Sequence, residues 1–571
     1  MSPLALLLCG VIVVLLLILL VRTAYCRPDN FPPGPPRLPI WGSYIQLLLE
    51  NYKFPYKVMD AFTRRYNSKL VGLYFGPLPV VVINDYEAAK EAFNNPSLQG
   101  RISNIAIKQR MPHEDLGINF RVGPELMEQR RFTLRYLRDF GFGRRSDHLE
   151  SEIEAEMGEL VELIRGERQD EVVVQPSSGG DCSRRVLLPD ALFPGFINGF
   201  MPVVAGSRLP RTADGVCRYL GHAGLQTARA GDATGGFLTL HSALASIAPK
   251  MSGYHDTVES AEKILTYFHQ VIKEHEKTYS DDHMRDFIDR YLREIKEKKK
   301  EDGTDQLGVI LFDTFLPASM VQSTVLSWAL LYVARHPEAQ RRAQLEPDSV
   351  VGNSRLPNLN DRLHLPYTEA ILRETMRMQT LLPIGIPHAA TEGTVEVANL
   401  WSMHMDKSVW GDPENFRPER FLNSDGTLCT KDLTLPFSTG KRVCPGETFA
   451  RQNMFLTLAT LLQNFSVRAD GLPPLHCNIP GAIETPPAFW AQFEPRCEGR
   501  WNQRGLLEPA RAAGTGEGCW YGWNRLARLE TSWHAWNWLG CWHYQSSKLD
   551  LGQAAAPATS PNTSMIVVNN P

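Results

Sequence analysis

One short stretch limits the folds open to this chain more than any other: Pro436–Arg451, PFSTGKRVCPGETFAR. Cys444 lies at its centre, and Phe437, Gly440, Arg442 and Gly446 surround it in the spacing F-x-x-G-x-R-x-C-x-G. A solitary cysteine in a reducing compartment ordinarily behaves as a small buried hydrophobe. Here glycines on both sides let the backbone turn tightly and come close to a flat object. Pro445 and Gly446 lead into an apolar run at helical spacing (Phe449, Met454, Phe455, Leu458, Leu461, Leu462), which places the sulfur just ahead of a helix N-terminus. The free N–H groups and the dipole there are expected to favour thiolate over thiol. A thiolate so held is an axial ligand for haem iron.

The segment resembles the haem-binding loop of the cytochrome P450 superfamily, and other stretches carry the same resemblance. In Tyr367–Thr380, YTEAILRETMRMQT, Glu374 and Arg377 stand one helical turn apart and can touch. Downstream, Phe416–Phe421 reads FRPERF. The family buries such an E-x-x-R pair against the arginine of that segment, which here is Arg420; a planar guanidinium binds a carboxylate bidentately. In Glu125–Phe142 the family's W-x-x-x-R arginine, a haem-propionate contact, corresponds to Arg130, with Leu126 at the tryptophan position. Arg101 and His388 match two further propionate contacts, His388 as a donor. The resemblance therefore assigns Arg101, Arg130, His388, Phe437, Gly440, Arg442, Cys444 and Gly446 to cofactor binding, Cys444 to the iron, and Glu374, Arg377 and Arg420 to a structural triad. The cofactor that the resemblance implies is haem b.

Two departures from the family pattern stand out. The long helix over the haem usually carries small-Gly-x-acid-Thr, and Leu307–Arg335 aligns with it through Asp313, Phe315, Ser323, Thr324 and Trp328–Tyr332. In that register the five positions are Pro317, Ala318, Ser319, Met320 and Val321, so the acid and the alcohol are both missing. That pair normally delivers protons through ordered water. Ser319 or Gln322 is the stand-in relay expected here, and Pro317 is expected to kink the helix. Secondly, Thr391-Glu392 runs straight into Gly393-Thr394-Val395, where the family inserts a β-hairpin.

The N-terminal Leu4–Val21 is uncharged, and as a helix spans about 27 Å, close to a bilayer core. A cleaved signal peptide is the rival reading, but its apolar region is shorter and ends in a small-residue cleavage site. Arg22, Arg27 and Arg37 follow the span with no basic residue before it, which puts the body in the cytosol. Pro32–Pro39, PPGPPRLP, reads as a stiff spacer. The order of anchor, proline-rich hinge and body resembles the microsomal branch, with an arthropod-like flavour in Phe132–Arg145.

The ten cysteines form no C-x-x-C, which argues against a zinc site and a disulfide framework. Hydrophobic content of 43% and charge of 22% are ordinary for a globular chain, and a net charge of −3 gives no sign of nucleic-acid binding. Arg131, Arg135 and Arg138 share one helix face, read either as a solvated stripe or as a docking surface. Residues 176–255, with Gly179-Gly180 and the Gly231–Gly236 run, are the least legible; the family places its substrate-access lid here. Val258–Lys277 and Met284–Lys300 read as charged helices. Cys519, His534, Cys541 and His543 in the tryptophan-rich tail match no metal-ligand spacing.

The expected architecture is a mostly α (α+β) cytochrome P450 fold, with a large helical domain and a small β-rich domain. Its parts are an anchor at 1–26, a hinge at 27–45, the haem-thiolate domain at 46–496 and a tail at 497–571. The implied function is insertion of one oxygen of O2 into a lipophilic steroid, fatty acid or xenobiotic at the endoplasmic reticulum membrane. Electrons would come from NADPH through NADPH-cytochrome P450 reductase, with cytochrome b5 as a second partner. Two rivals stay open: a reductase-independent haem-thiolate isomerase or dehydratase, and a catalytically impaired haem-binding relative.

Overall fold

A helix from Gly303 to Arg335 runs through the middle of the computed structural model. The structure describes residues 3–496 except 26, 103–115, 143, 169, 171, 178–181, 213–214, 231–233, 235–242, 299–302, 391–392 and 470. The tail with Cys519, His534, Cys541 and His543, the pair Gly179-Gly180, most of the Gly231–Gly236 run, Lys299-Lys300 and Thr391-Glu392 lie outside the described residues.

Between Gln306 and Ala334 every residue of the central helix is buried except Pro317 and Val321. Its composition explains much of the burial: it is mostly apolar, and its buried hydroxyl and amide side chains Thr314, Ser319, Gln322, Ser323 and Ser327 bond back to the helix's own carbonyls. Pro317–Val321 forms a wide π turn between two α-helical halves. Pro317 has no N–H to give the carbonyl four residues back, so the ladder re-registers there. Phe315 packs edge-on against Phe268 (5.3 Å between ring centroids) and Phe200 (6.2 Å), which join the helices Tyr254–Thr278 and Phe193–Ala205 to the same core.

Among the described residues the strands form two four-stranded sheets. The first has the order β1-β2-β6-β5, with β1 Leu70–Phe75, β2 Leu78–Ile83, β5 His388–Ala389 and β6 Val395–Ala398. β1 and β2 pair antiparallel across the Gly76-Pro77 turn, and β2 and β6 pair parallel with Val80 opposite Val395. Between β5 and β6, Ala390 N–H donates to Thr394 O at 2.8 Å. The second has the order β3-β4-β8-β7, with β3 Val174–Pro176, β4 Arg184–Leu188, β7 Phe465–Arg468 and β8 Phe489–Pro495, all antiparallel.

The proline-rich stretch does more than space. It lies along β1, with Gly72 N–H donating to Pro33 O at 2.9 Å. Arg27 Nη1 donates to Pro32 O (2.8 Å) and Gly72 O (3.2 Å), and its Nη2 to Pro35 O (2.6 Å). Arg37 N–H returns to Ala24 O at 2.8 Å, on the last turn of the N-terminal helix Pro3–Tyr25. Prolines cannot donate to a ladder, but their carbonyls accept.

Candidate functional site

The Cys444 loop is held from both sides. Cys444 N–H donates to Phe437 O at 2.9 Å, and Cys444 stands two residues before Gly446, the cap of the helix Glu447–Asn464. Gly440 has φ +77, and a Cβ there would stand 2.0 Å from Phe93 O, so only glycine lets the loop lie against the helix Tyr86–Asn94. Phe142 stacks on Phe449 at 4.7 Å and closes in beneath Gly446. The Arg451 guanidinium lies 4.8 Å over the Phe437 ring.

The expected thiolate preference is overturned. Packing around Cys444 pushes its thiol above the ordinary value; the Gly446 N–H and Arg130 pull it down, while Glu447 pushes it up. Desolvation outweighs the helix terminus here. The thiolate form is therefore one that a bound metal must draw out.

Three guanidinium groups gather beside this loop. Arg130 Nη2 donates to Val443 O at 2.6 Å. Arg442 Nε donates to Gln99 O (3.2 Å) and its Nη2 to Arg121 O (2.9 Å), while Nη1 is buried with no partner among the described residues. Arg101 Nε donates to Asn119 O (3.2 Å) and Nη1 to Pro387 O (3.3 Å). Among the described residues no carboxylate pairs with any of the three. Burial, then Arg442 and Arg130, lower Arg101 to about 9, and burial and Arg130 lower Arg442 to about 10. Buried cations without anions are costly. A cluster of cations with an orphaned Nη1–H, next to a sulfur in a glycine-lined loop, fits a flat, dianionic, metal-bearing group such as haem.

His388 is placed in the same group. It stacks on Phe93 at 4.2 Å, and its Nδ1 lies 2.8 Å from Leu98 O, which can only accept. Burial, with Arg101 and Arg442 opposing a second charge, lowers it to about 3, so the ring is neutral and its one proton is spent on Leu98. Its Nε2 carries a lone pair in that form, so donation to a propionate, as the resemblance implies, needs a second proton on the ring.

The triad forms as expected. Arg377 Nε and Nη2 donate to Glu374 at 2.7 and 2.8 Å, and both side chains are fully buried. Arg420 Nε reaches Glu374 Oε1 at 3.3 Å, and Arg417 N–H donates to the same oxygen at 2.9 Å. Arg377 also donates to His404 O (2.8 Å) and Pro413 O (2.9 Å), and Arg420 to the carbonyl of Trp410 and to Asp412. The triad thus pins the helix Pro366–Met378 to the segment leading towards the cysteine loop.

Ser319 and Gln322, the expected relay pair, both donate back to their own helix, and Gln322 Oε1 is buried with no partner among the described residues. Ser319 Oγ donates to Phe315 O at 2.8 Å and Gln322 Nε2 to Ala318 O at 2.7 Å, and both side chains face packed protein. The accessible positions, Pro317 and Val321, are four residues apart on one face and carry no proton.

Sequence reasoning passed over the residues that connect these parts. Leu116–Arg121 straps the central helix to the arginines: Ile118 and Asn119 N–H donate to Asp313 Oδ2 at 2.9 and 3.0 Å, and Gly117 N–H to Gln306 Oε1 at 3.1 Å. Asp313 had served only to align a flank. Its burial within an apolar run was the available signal.

A cysteine loop, a cation cluster and a buried acid–arginine triad together define a haem-thiolate protein. The family model described as Cytochrome P450 matches residues 32–178 and 240–488, and the chain belongs to the cytochrome P450 family. It is similar to farnesoate epoxidase of Bombyx mori, with 30% identity over 484 residues covering 82% of this chain and 94% of that protein. Cytochrome P450 2C55 of Rattus norvegicus is 32% identical over 507 residues (84% and 97% covered), and cytochrome P450 2C8 of Homo sapiens 32% over 500 residues (82% and 95%). The family makes the chain an oxidoreductase of the monooxygenase class and implies haem. The matched stretches skip 179–239, within the region least legible in the sequence.

Proposed function

We propose that this protein inserts one oxygen atom of O2 into a lipophilic small molecule (a steroid, a fatty acid or a xenobiotic), using electrons that NADPH supplies through a membrane-bound reductase or cytochrome b5. The observation that carries the reading is the set of acid-free guanidinium groups, buried Arg101 and Arg442 and half-buried Arg130, around the Cys444 loop. Bound haem supplies the oxygen activation. Cys444 holds its iron, and the three arginines take its propionates. Gly440 lets the loop lie flat, and the Glu374–Arg377–Arg420 triad keeps the loop's approach rigid. Proton delivery falls to water, because Pro317 and Val321 on the accessible face have none to give.

The N-terminal helix serves as a single-pass anchor in the endoplasmic reticulum membrane, with the body in the cytosol. Its 23 residues and the exposed apolar side chains between Leu7 and Leu19 support this. Among the described residues the helix long and apolar enough to cross a bilayer is 303–335, which is core; the N-terminal apolar stretch Leu7–Leu19 is shorter. Arg131, Arg135, Arg138 and Lys441 are exposed and offer the reductase a positive surface.

The test is the carbon monoxide difference spectrum of the reduced protein, then a substrate screen with reductase and NADPH. A thiolate-type band that Cys444→Ser abolishes supports the reading, and a colourless protein overturns it. A second reading, reductase-independent isomerisation or dehydration, is favoured by the proton-free face of the central helix. Turnover of a hydroperoxide without NADPH selects it.

A further inference from the structure

Arg451 lies against the cysteine loop from the helix that follows it, Glu447–Asn464. Its Nε donates to Glu447 Oε1, one turn back, at 2.9 Å, and its guanidinium carbon lies 4.8 Å over the Phe437 ring. The carbonyl of Phe437 in turn accepts the Cys444 N–H at 2.9 Å. One side chain therefore touches the chain seven residues before the cysteine and three residues after it. The Arg451 side chain is only 15% exposed, and its Nη1 is buried with no hydrogen-bond partner among the described residues. Two other carboxylates stand further off, Glu369 at 3.8 Å and Asp432 at 4.0 Å, and both are shared with Arg373. Glu447 is thus the acid that Arg451 holds most closely, and the aromatic face fixes where its charge sits. Glu447 opens the helix that Gly446 caps, where an acid stabilises the helix start. The same carboxylate opposes a charge on the Cys444 sulfur.

We propose that Arg451 is a positioning residue of the cysteine loop: its guanidinium, held on the Phe437 ring, offsets the Glu447 carboxylate beside the sulfur and so raises the reduction potential of the iron that Cys444 holds. The sign follows from charge. Ferric iron carries one positive charge more than ferrous iron, so a bare carboxylate nearby favours the ferric state and a nearby cation favours the ferrous state. The Glu447–Arg451 pair sums to zero. The helix keeps its acidic first turn, and the metal does not feel it as a net charge. This inference rests on the haem-thiolate reading above.

The experiment is a double-mutant cycle of Arg451→Met and Glu447→Gln in the haem-loaded full chain. The readout is the ferrous-to-ferric ratio at equilibrium with a redox dye, with no substrate and no reductase present. Arg451→Met is expected to move that ratio about fivefold towards ferric and Glu447→Gln about fivefold towards ferrous, the scale of one partly screened charge. The double variant is expected to return to within about twofold of the wild type, and so is Arg451→Lys, which keeps the charge. An arginine that merely braced the loop would leave the double variant as far from the wild type as Arg451→Met. That result overturns the proposal, as does an unmoved ratio in either single variant or a lysine variant that behaves like the methionine one. If Arg451→Met fails to fold, the other two single variants decide. The ferrous shift with Glu447→Gln and none with Arg451→Lys supports the proposal, and any other pair of results overturns it. A wild-type chain that takes up no haem sinks the haem-thiolate reading and this inference together, whereas haem uptake without the shifts sinks this inference alone.

Discussion

Glu374 and Arg377 face each other across one helical turn with no exposed side-chain surface, joined by bonds of 2.7 and 2.8 Å. Arg420 and the Arg417 N–H converge on the same carboxylate. Removing one partner leaves the other charges buried and unpaired. Glu374→Ala is therefore expected to destabilise the folded protein by about 3–5 kcal/mol, measured by denaturant unfolding. Replacement of both members, Glu374→Leu with Arg377→Met, is expected to cost less than the sum of the single changes.

His404, fully buried behind that triad, makes it acid-sensitive. Leu435 N–H donates to His404 Nε2 at 3.1 Å, and the ring's Nδ1 meets Thr380 Oγ1 at 2.8 Å. Thr380 spends its own proton on Arg377 O, so the ring carries its hydrogen on Nδ1. Burial, then Arg377, lowers His404 to about 3. The unfolded chain binds a proton near pH 6.5 that the folded chain refuses, so stability falls as the pH drops from about 6.5 towards 3. His404→Gln is expected to flatten that slope by about 1.4 kcal/mol per pH unit, read from unfolding curves across the window.

The cation cluster should show opposite signs with and without cofactor. Arg442→Met removes a like charge from Arg101 and Arg130, so the haem-free protein is expected to melt at a higher temperature. The loaded protein loses a charge-assisted contact, and its haem is expected to leave about tenfold to a hundredfold faster. Melting curves and haem-transfer rates measured on the same preparations check both.

Val321 lies on the accessible face of the central helix, where the family's register puts an alcohol. Val321→Thr is expected to raise product formed per NADPH severalfold and lower released hydrogen peroxide, because a hydroxyl orders a proton-carrying water. Ser319→Ala, which removes only a bond to the helix's own Phe315 carbonyl, is expected to leave that ratio unchanged.

Arg131, Arg135 and Arg138 are exposed and share a face. Changing all three to glutamate is expected to slow reduction by the reductase about tenfold at low salt, with the haem spectrum unaltered. Stopped-flow reduction at rising ionic strength checks this, since the difference should shrink as salt screens the charges.

What could be read from the sequence was chemistry concentrated in short spans. The Cys444 loop carries its own glycines and helix start, and the Glu374–Arg377 spacing is one turn; both survive intact in three dimensions. Helices with a strong period were visible to within a few residues, as Val258–Lys277 against the observed Tyr254–Thr278 and Met284–Lys300 against Phe287–Lys298 show. The helix Phe193–Ala205, FPGFINGFMPVVA, was not legible, because its two prolines and two glycines are poor helix formers that complete burial overrides. The sulfur's preferred charge was misread for a related reason: the helix end was visible locally, but the packing that outweighs it comes from distant segments. The carbonyls of Asn119 and Leu98, which hold Arg101 and His388, leave no mark in side-chain identity at all.

The π turn at Pro317–Val321 has a consequence for any residue-by-residue transfer of function along the central helix. One surplus residue in a turn advances everything beyond it by about 100° of helical phase. Trp328 and Tyr332, both sealed in the core, are set by that advance. Deleting a residue to straighten the rod would therefore swing the whole Gln322–Arg335 half away from its sockets, and the bend must be inherited together with everything downstream of it.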